Sequence, residues 1–163
     1  MKTILIQVGK TVNNHFIAGI NDYAERISHY MPFDIVTIPE LKKTMVRSNR
    51  PKNLSEDQQK QAEGELILKQ LQPSDTVVLL DEHGRQYRSI EFARWLEQKQ
   101  INARRLVFVI GGPYGFSPDV YARANEQLSL SLMTFSHQMI RLTFTEQIYR
   151  ACTIIKGEPY HHE

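Results

Sequence analysis

Apolar positions fall into two alternating patterns along this chain. TILIQV at 3–8 is a continuous apolar run that predicts a buried strand, closed by Gly9. Phe16, Ile20, Tyr23, Ala24 and Ile27 then recur at helical spacing over 14–30. FDIVTI at 33–38 alternates and is rich in β-branched residues, so it predicts a second strand, which Pro39 stops. A further helix opens at Ser55, where Ser55 and Gln58 fit a capping box, and runs to about Gln70. TVVLL at 76–80 and RLVFVI at 105–110 are apolar on both faces. Between them lies a polar stretch, 81–88, and then a helix that Ser89 can cap, with Ile90, Ala93, Trp95 and Leu96 on or near its buried face. Ser117-Pro118-Asp119 is a helix start, with serine as cap and proline in the first turn, and predicts a short helix to about Gln127. LSLSLMTF at 128–135 alternates apolar with small polar residues and then stops. Ser136 caps a last helix over 137–156, closed by Gly157.

Strands alternating with helices, two of them apolar on both faces, predict an α/β fold with a mostly parallel sheet covered on both sides. The whole of 1–163 reads as one domain, with a polar tail at 157–163. One segment fits neither period. LKKTMVRSNRPKNL at 41–54 has five basic residues and no acid, and reads as a mobile basic loop. Sheets of this kind bind ligands outside the carboxyl ends of their strands. GGPYG at 111–115 sits at such an end. It is not a P-loop, since no Gly-Lys-Ser/Thr follows, and it lacks the spacing of a dinucleotide fingerprint. Pro113 also removes one amide from the turn, against a phosphate cradle. By itself the stretch is equally a tight turn that needs glycine.

Charge narrows the partners. The net charge is +2, from 20 basic and 18 acidic residues, so a nucleic-acid surface must be local. No apolar run approaches membrane-span length, and the N-terminal run is too short for a signal-peptide core. The single cysteine, Cys152, excludes an internal disulfide and a cysteine-based zinc site. These features predict a cytoplasmic protein away from membranes.

Beyond these patterns, IGGPYGFSPDV, LSLSLMTFSHQMIRLTFTEQIYRA and the tail PYHHE occur in one order, with VGK near the start and MPFDIVTIPE after the first helix. Together they resemble the bacterial RlmH family, SPOUT-class methyltransferases that act on N3 of a pseudouridine in 23S rRNA of the large ribosomal subunit. The resemblance covers essentially the whole chain. It implies a SPOUT-type trefoil-knotted fold, S-adenosylmethionine as cofactor, and a homodimer with each active site near the interface. It places the cofactor at Leu80, at Gly111 and Gly112, and along Leu130, Ser131, Leu132, Met133, Thr134 and Phe135. Adenine needs an apolar slot edged by backbone donors and acceptors, which these residue types supply. The glycine turn would hold the methionine or ribose side.

Methylating an imide nitrogen requires that its proton leave and that charge spread onto the flanking carbonyls, so positioning and electrostatics dominate. Histidine suits the general base. The resemblance points to Tyr160 and His161, whose Tyr-His pair matches the family tail, although His162 stands where many members carry a basic residue. Arg141 is a candidate for the developing anion or a phosphate, and His137 is a further candidate. For Arg141 and Arg150 the alternative is a salt bridge to Glu146 or Glu126. Arg150 and the basic segment, with Lys42, Lys43, Arg47, Arg50 and Lys52, are candidate RNA contacts, since clustered positive charge suits phosphates. His15 and His83 read as surface residues. No metal is expected, because His161-His162 has no carboxylate partner. Two other classes remain open from the residues: a non-enzymatic ribosome- or RNA-binding factor on a similar fold, and a nucleotide- or flavin-binding α/β protein.

Overall fold

The structure is a computed structural model that describes residues 1–41, 44–47, 50–53 and 55–162. Five strands form one parallel sheet: β1 (Lys2–Val8), β2 (Phe33–Ile38), β5 (Thr76–Arg85), β6 (Arg105–Ile110) and β7 (Glu126–Leu128), in the order β2-β1-β6-β5-β7. The helices are α1 (Asn14–Ser28), α2 (Glu56–Gln70), α3 (Ser89–Asn102), α4 (Pro118–Arg123) and α5 (Met139–Ile155).

The period of two in a strand explains why the central runs are apolar throughout. Leu106, Phe108 and Ile110 of β6, with Val78 and Leu80 of β5, face α1, α3 and α5, where Ile27, Phe92, Leu96, Phe144 and Ile148 meet them. Val107 and Val109, with Val77 and Leu79, face the other side, against Ile67 of α2, Val120 of α4 and Phe116. Each face has its own core. Phe108 is fully buried and meets Phe144 edge to face at 4.8 Å. Burying such a side chain contributes about 1.5–3 kcal/mol. Cys152 is buried in the first core, which pushes its thiol up to about 12 and keeps it unreactive at neutral pH.

Helix starts follow the capping rules in most places. Asn13 caps α1 by accepting from the amides of His15 and Phe16. At α2, the Ser55 hydroxyl accepts from the Gln58 amide at 3.1 Å while the Gln58 side chain accepts from the Ser55 amide at 3.0 Å. Ser117 caps α4 with Pro118 in the first turn. Gly157 closes α5 with a φ of +69°, a conformation that suits glycine.

Four details differ from the sequence reading. The basic segment is not a loop in the described residues: β3 (Thr44–Arg47) and β4 (Arg50–Asn53) pair antiparallel, with Arg47 opposite Arg50 and Met45 opposite Lys52. Strands of four residues are too short to show a period. Lys42 and Lys43 lie outside the described residues. Ser89 does not cap α3 but is its first residue, and the Arg88 amide donates to the Glu91 carboxylate at 2.9 Å. α4 ends at Arg123, and Glu126–Leu128 is instead the edge strand β7. Finally, β5 continues past its apolar run to Arg85 through an irregularity that pairs Leu128 with both Leu80 and Arg85.

Candidate active site

A cleft of about 760 Å³ opens at the carboxyl ends of β5, β6 and β7. Leu80, Ile110 and Leu128, the last apolar residues of three adjacent strands, form its floor. The glycine turn 111–115 forms one wall and the segment 129–137 another.

The glycine turn is shaped by its packing. Gly115 has a φ of +80° and its amide donates to the Gly112 carbonyl at 3.2 Å. A Cβ on Gly112 would stand 2.7 Å from Oε2 of Glu63, and one on Gly111 would stand 3.0 Å from the Phe116 ring. The two adjacent glycines therefore let the turn settle onto a carboxyl group and a ring that α2 and the following residues place beneath it. Glu63 is buried and receives Gln59 Nε2 at 3.1 Å. Burial pushes its carboxyl above the ordinary range, against that hydrogen bond.

The opposite wall is folded by its own hydroxyls. Ser129 Oγ donates to the Ser131 carbonyl at 2.9 Å, and Ser131 Oγ accepts from the Met133 amide at 2.9 Å. Ser136 Oγ accepts from the Met139 amide at 3.0 Å just ahead of α5, which begins at Met139 with Gln138, not Ser136, as its N-cap. The small polar residues of LSLS are turn formers here, not strand residues, which is why the alternation stops.

Sequence reasoning missed the polar rim. Asp81 follows Leu80 directly and accepts from the His83 amide at 2.9 Å, from His83 Nδ1 at 3.1 Å and from the Tyr121 hydroxyl. Burial works against its charge, but the bonds from Tyr121 and His83 outweigh it and hold the carboxyl below its ordinary value. Tyr121 is correspondingly raised, by burial and by Asp81. Among the described residues, Glu56, Asp57 and Glu82 join Asp81 around the opening, against one lysine, Lys60. An acid pair with a histidine two residues on, just past an apolar strand, was the available signal.

Of the residues singled out for a cofactor, Leu80, Gly111, Gly112, Leu130, Ser131, Met133, Thr134 and Phe135 line the cleft. Leu132 does not; its side chain turns outward and is 86% exposed. His137 also lines it. The cleft suits a cofactor with an apolar aromatic end and a cationic end. Leu128, Leu130 and Phe135 offer apolar surface, the two walls offer main-chain polar groups, and the rim is net negative.

Apart from His137, the residues expected to do chemistry lie elsewhere. Arg141 is fully buried: Nη1 donates to the Gly9 carbonyl at 2.9 Å and to Thr11 Oγ1 at 3.0 Å, and Nη2 to the Val8 carbonyl at 2.6 Å. Its guanidinium clamps the end of β1 to α5, so it is not placed to meet a substrate, and neither Glu146 nor Glu126 pairs with it. Arg150 does take the helix-face alternative, pairing with Glu146 Oε1 at 2.6 Å. The tail folds onto the same pair. Tyr160 donates to Glu146 Oε1 at 3.0 Å, its ring lies 4.9 Å from the Arg150 guanidinium, and His161 Nδ1 sits 3.1 Å from Arg150 Nη1. Tyr160 also packs edge to face on Tyr149 at 4.8 Å. Neither Tyr160 nor His161 lines the cleft of its own chain.

Comparison with known proteins adds to this geometry. Residues 1–161 match the family described as "Predicted SPOUT methyltransferase". A curated protein of Bacteroides fragilis, named "Ribosomal RNA large subunit methyltransferase H", is 62% identical over 164 residues, covering 100% of both chains. Proteins of the same name from Phocaeicola vulgatus and Porphyromonas gingivalis are 60% and 52% identical over the same span.

Proposed function

This chain belongs to the SPOUT methyltransferase family, and from that premise we propose that it transfers a methyl group from S-adenosylmethionine to N3 of a pseudouridine in the 23S rRNA of the large ribosomal subunit. The observation that carries the reading is the cleft at the ends of β5, β6 and β7, with its apolar floor and acidic rim. S-adenosylmethionine supplies an electrophilic methyl on a sulfonium. Leu80, Leu128, Leu130 and Phe135 would bound its adenine, the glycine turn would lie along the ribose and methionine, and the rim carboxylates would favour its cationic groups. Family membership carries with it the trefoil knot, and the names of the relatives supply the substrate class.

The tail suggests how the site is completed. Tyr160 and His161 are fixed to α5 by Glu146 and Arg150 and are absent from their own cleft. They act, in this reading, across a homodimer, where His161 accepts the imide proton. Exposed apolar side chains support such an interface: Val12, Leu132 and Met133 are each more than three-quarters exposed. The basic segment with Arg47, Arg50 and Lys52 would meet RNA phosphates in the cytoplasm, where ribosomes are.

Calorimetry with S-adenosylmethionine and S-adenosylhomocysteine tests the reading. The expected result is saturable binding to the native chain, lost when Gly111 is replaced by leucine in a variant that still melts cooperatively. Undiminished binding by Gly111→Leu would remove the cofactor from this cleft.

A further inference from the structure

A second cavity, about 550 Å³, lies beside the cleft where α3 faces the edge strand β7. Arg85, Tyr87, Trp95, Lys99, Glu126 and Gln127 line it. Its two aromatic rings are held in place. Trp95 stacks on Phe92 with centroids 5.5 Å apart and planes 17° apart, and its Nε1 donates to Glu126 Oε2 at 2.9 Å. Each ring has a cation beside it. The Arg85 guanidinium is 4.6 Å from the Tyr87 centroid, and Lys99 Nζ is 5.3 Å from that of Trp95. Lys99 is paired with Glu126, but among the described residues Arg85 has no carboxylate partner and is exposed.

The cavity adjoins the cleft along the same two segments. Asp81 to His83 line the cleft and Arg85 lines the cavity; Glu126 and Gln127 line the cavity and Leu128 the cleft. The Ser129 amide, donating to the Arg85 carbonyl at 3.0 Å, joins them. On β5 the linings are two positions apart, His83 to Arg85, about 7 Å, and on β7 they are adjacent, Gln127 to Leu128. Any polyanion that reaches the cleft meets its carboxylate rim and needs positive charge close by.

We propose that this cavity is a nucleotide subsite: a base flanking the methylated one stacks against Tyr87 and Trp95 while Arg85 holds its phosphate. The proposal rests on the RNA methyltransferase reading. Its chemistry is that of single-strand recognition, in which every base offers a face for stacking and each phosphate a charge. A protein partner would have to bring a carboxylate for Arg85, and nothing on this surface selects for one.

Trp95 is the sole tryptophan, so its fluorescence reports on this cavity directly. A uridine-rich single-stranded oligoribonucleotide should quench it saturably, with affinity falling as salt rises. Arg85→Glu should weaken that binding about tenfold and raise KM for ribosomal particles by a similar factor. Its kcat should stay within about twofold, and its S-adenosylmethionine affinity should be unchanged, because Arg85 does not line the cleft. Absence of quenching at low salt, or an unchanged KM, overturns the subsite. A raised KM without quenching assigns the cavity to a protein partner and also overturns it. Wild-type protein that transfers no methyl group fails the underlying reading instead, a result separable from these.

Discussion

A buried guanidinium is costly unless its donors are met, and the two Nη atoms of Arg141 reach three acceptors near the end of β1, while its buried Nε has no partner. Replacing it with methionine would orphan the Val8 and Gly9 carbonyls. Arg141→Met should lower the unfolding free energy by about 3 kcal/mol or more, read from urea denaturation. A normal midpoint with lost turnover would instead return Arg141 to the chemistry. Glu63 is the opposite case, a carboxyl that burial holds above its ordinary value of 4.5. Between that value and the raised one, the folded chain keeps a proton that the unfolded chain has lost. Stability therefore falls as pH rises through this window, and below it the two states bind protons alike. Glu63→Gln should be more stable than the parent at neutral pH, and its advantage should vanish in melts below the ordinary value. An advantage independent of pH would show that proton binding is not the cause. At this scale the sequence was a partial guide. Sequence spacing on a helix can show Arg150 meeting Glu146 four residues away, but not Arg141 meeting β1, 132 and 133 residues away.

The element that controls the cleft is β7, which the hydrophobic pattern did not reveal. It has three residues, and only Leu128 among them is apolar and buried. Its place depends on Gly84, where a Cβ would stand 2.5 Å from the Leu128 amide and 2.6 Å from the Gln127 carbonyl carbon. Backbone cannot yield as a flexible side chain does. Gly84→Ala should cost about 1–3 kcal/mol and weaken cofactor binding, because β7 leads directly into the wall at 129–137. Unchanged cofactor affinity in a calorimetric titration would show that the wall is held independently of β7. The strands with long apolar runs, β1, β5 and β6, were legible because both faces are buried. The hairpin of β3 and β4 was not, since its pairing is local and its strands are too short for a period.

For the whole molecule, parallel order and two cores follow from alternation and burial, and the cleft from the rule that ligands sit at strand ends. A knot does not follow, because general rules of connection weigh against one; it enters through the family. The dimer is a proposal of the same scale. Sedimentation should show a dimer that Leu132→Asp, placing a charge on an exposed apolar side chain, converts to monomer while cofactor binding persists. A wild-type chain that sediments as a monomer would leave Tyr160 and His161 without a cleft to complete. The central claim is the reaction itself. Incubating the protein with methyl-labelled S-adenosylmethionine and large-subunit ribosomal particles, then mapping the label, tests it most directly. One labelled nucleotide is expected in 23S rRNA, a pseudouridine carrying the methyl on N3. Label on another atom or another molecule, or none on any particle, would contradict it.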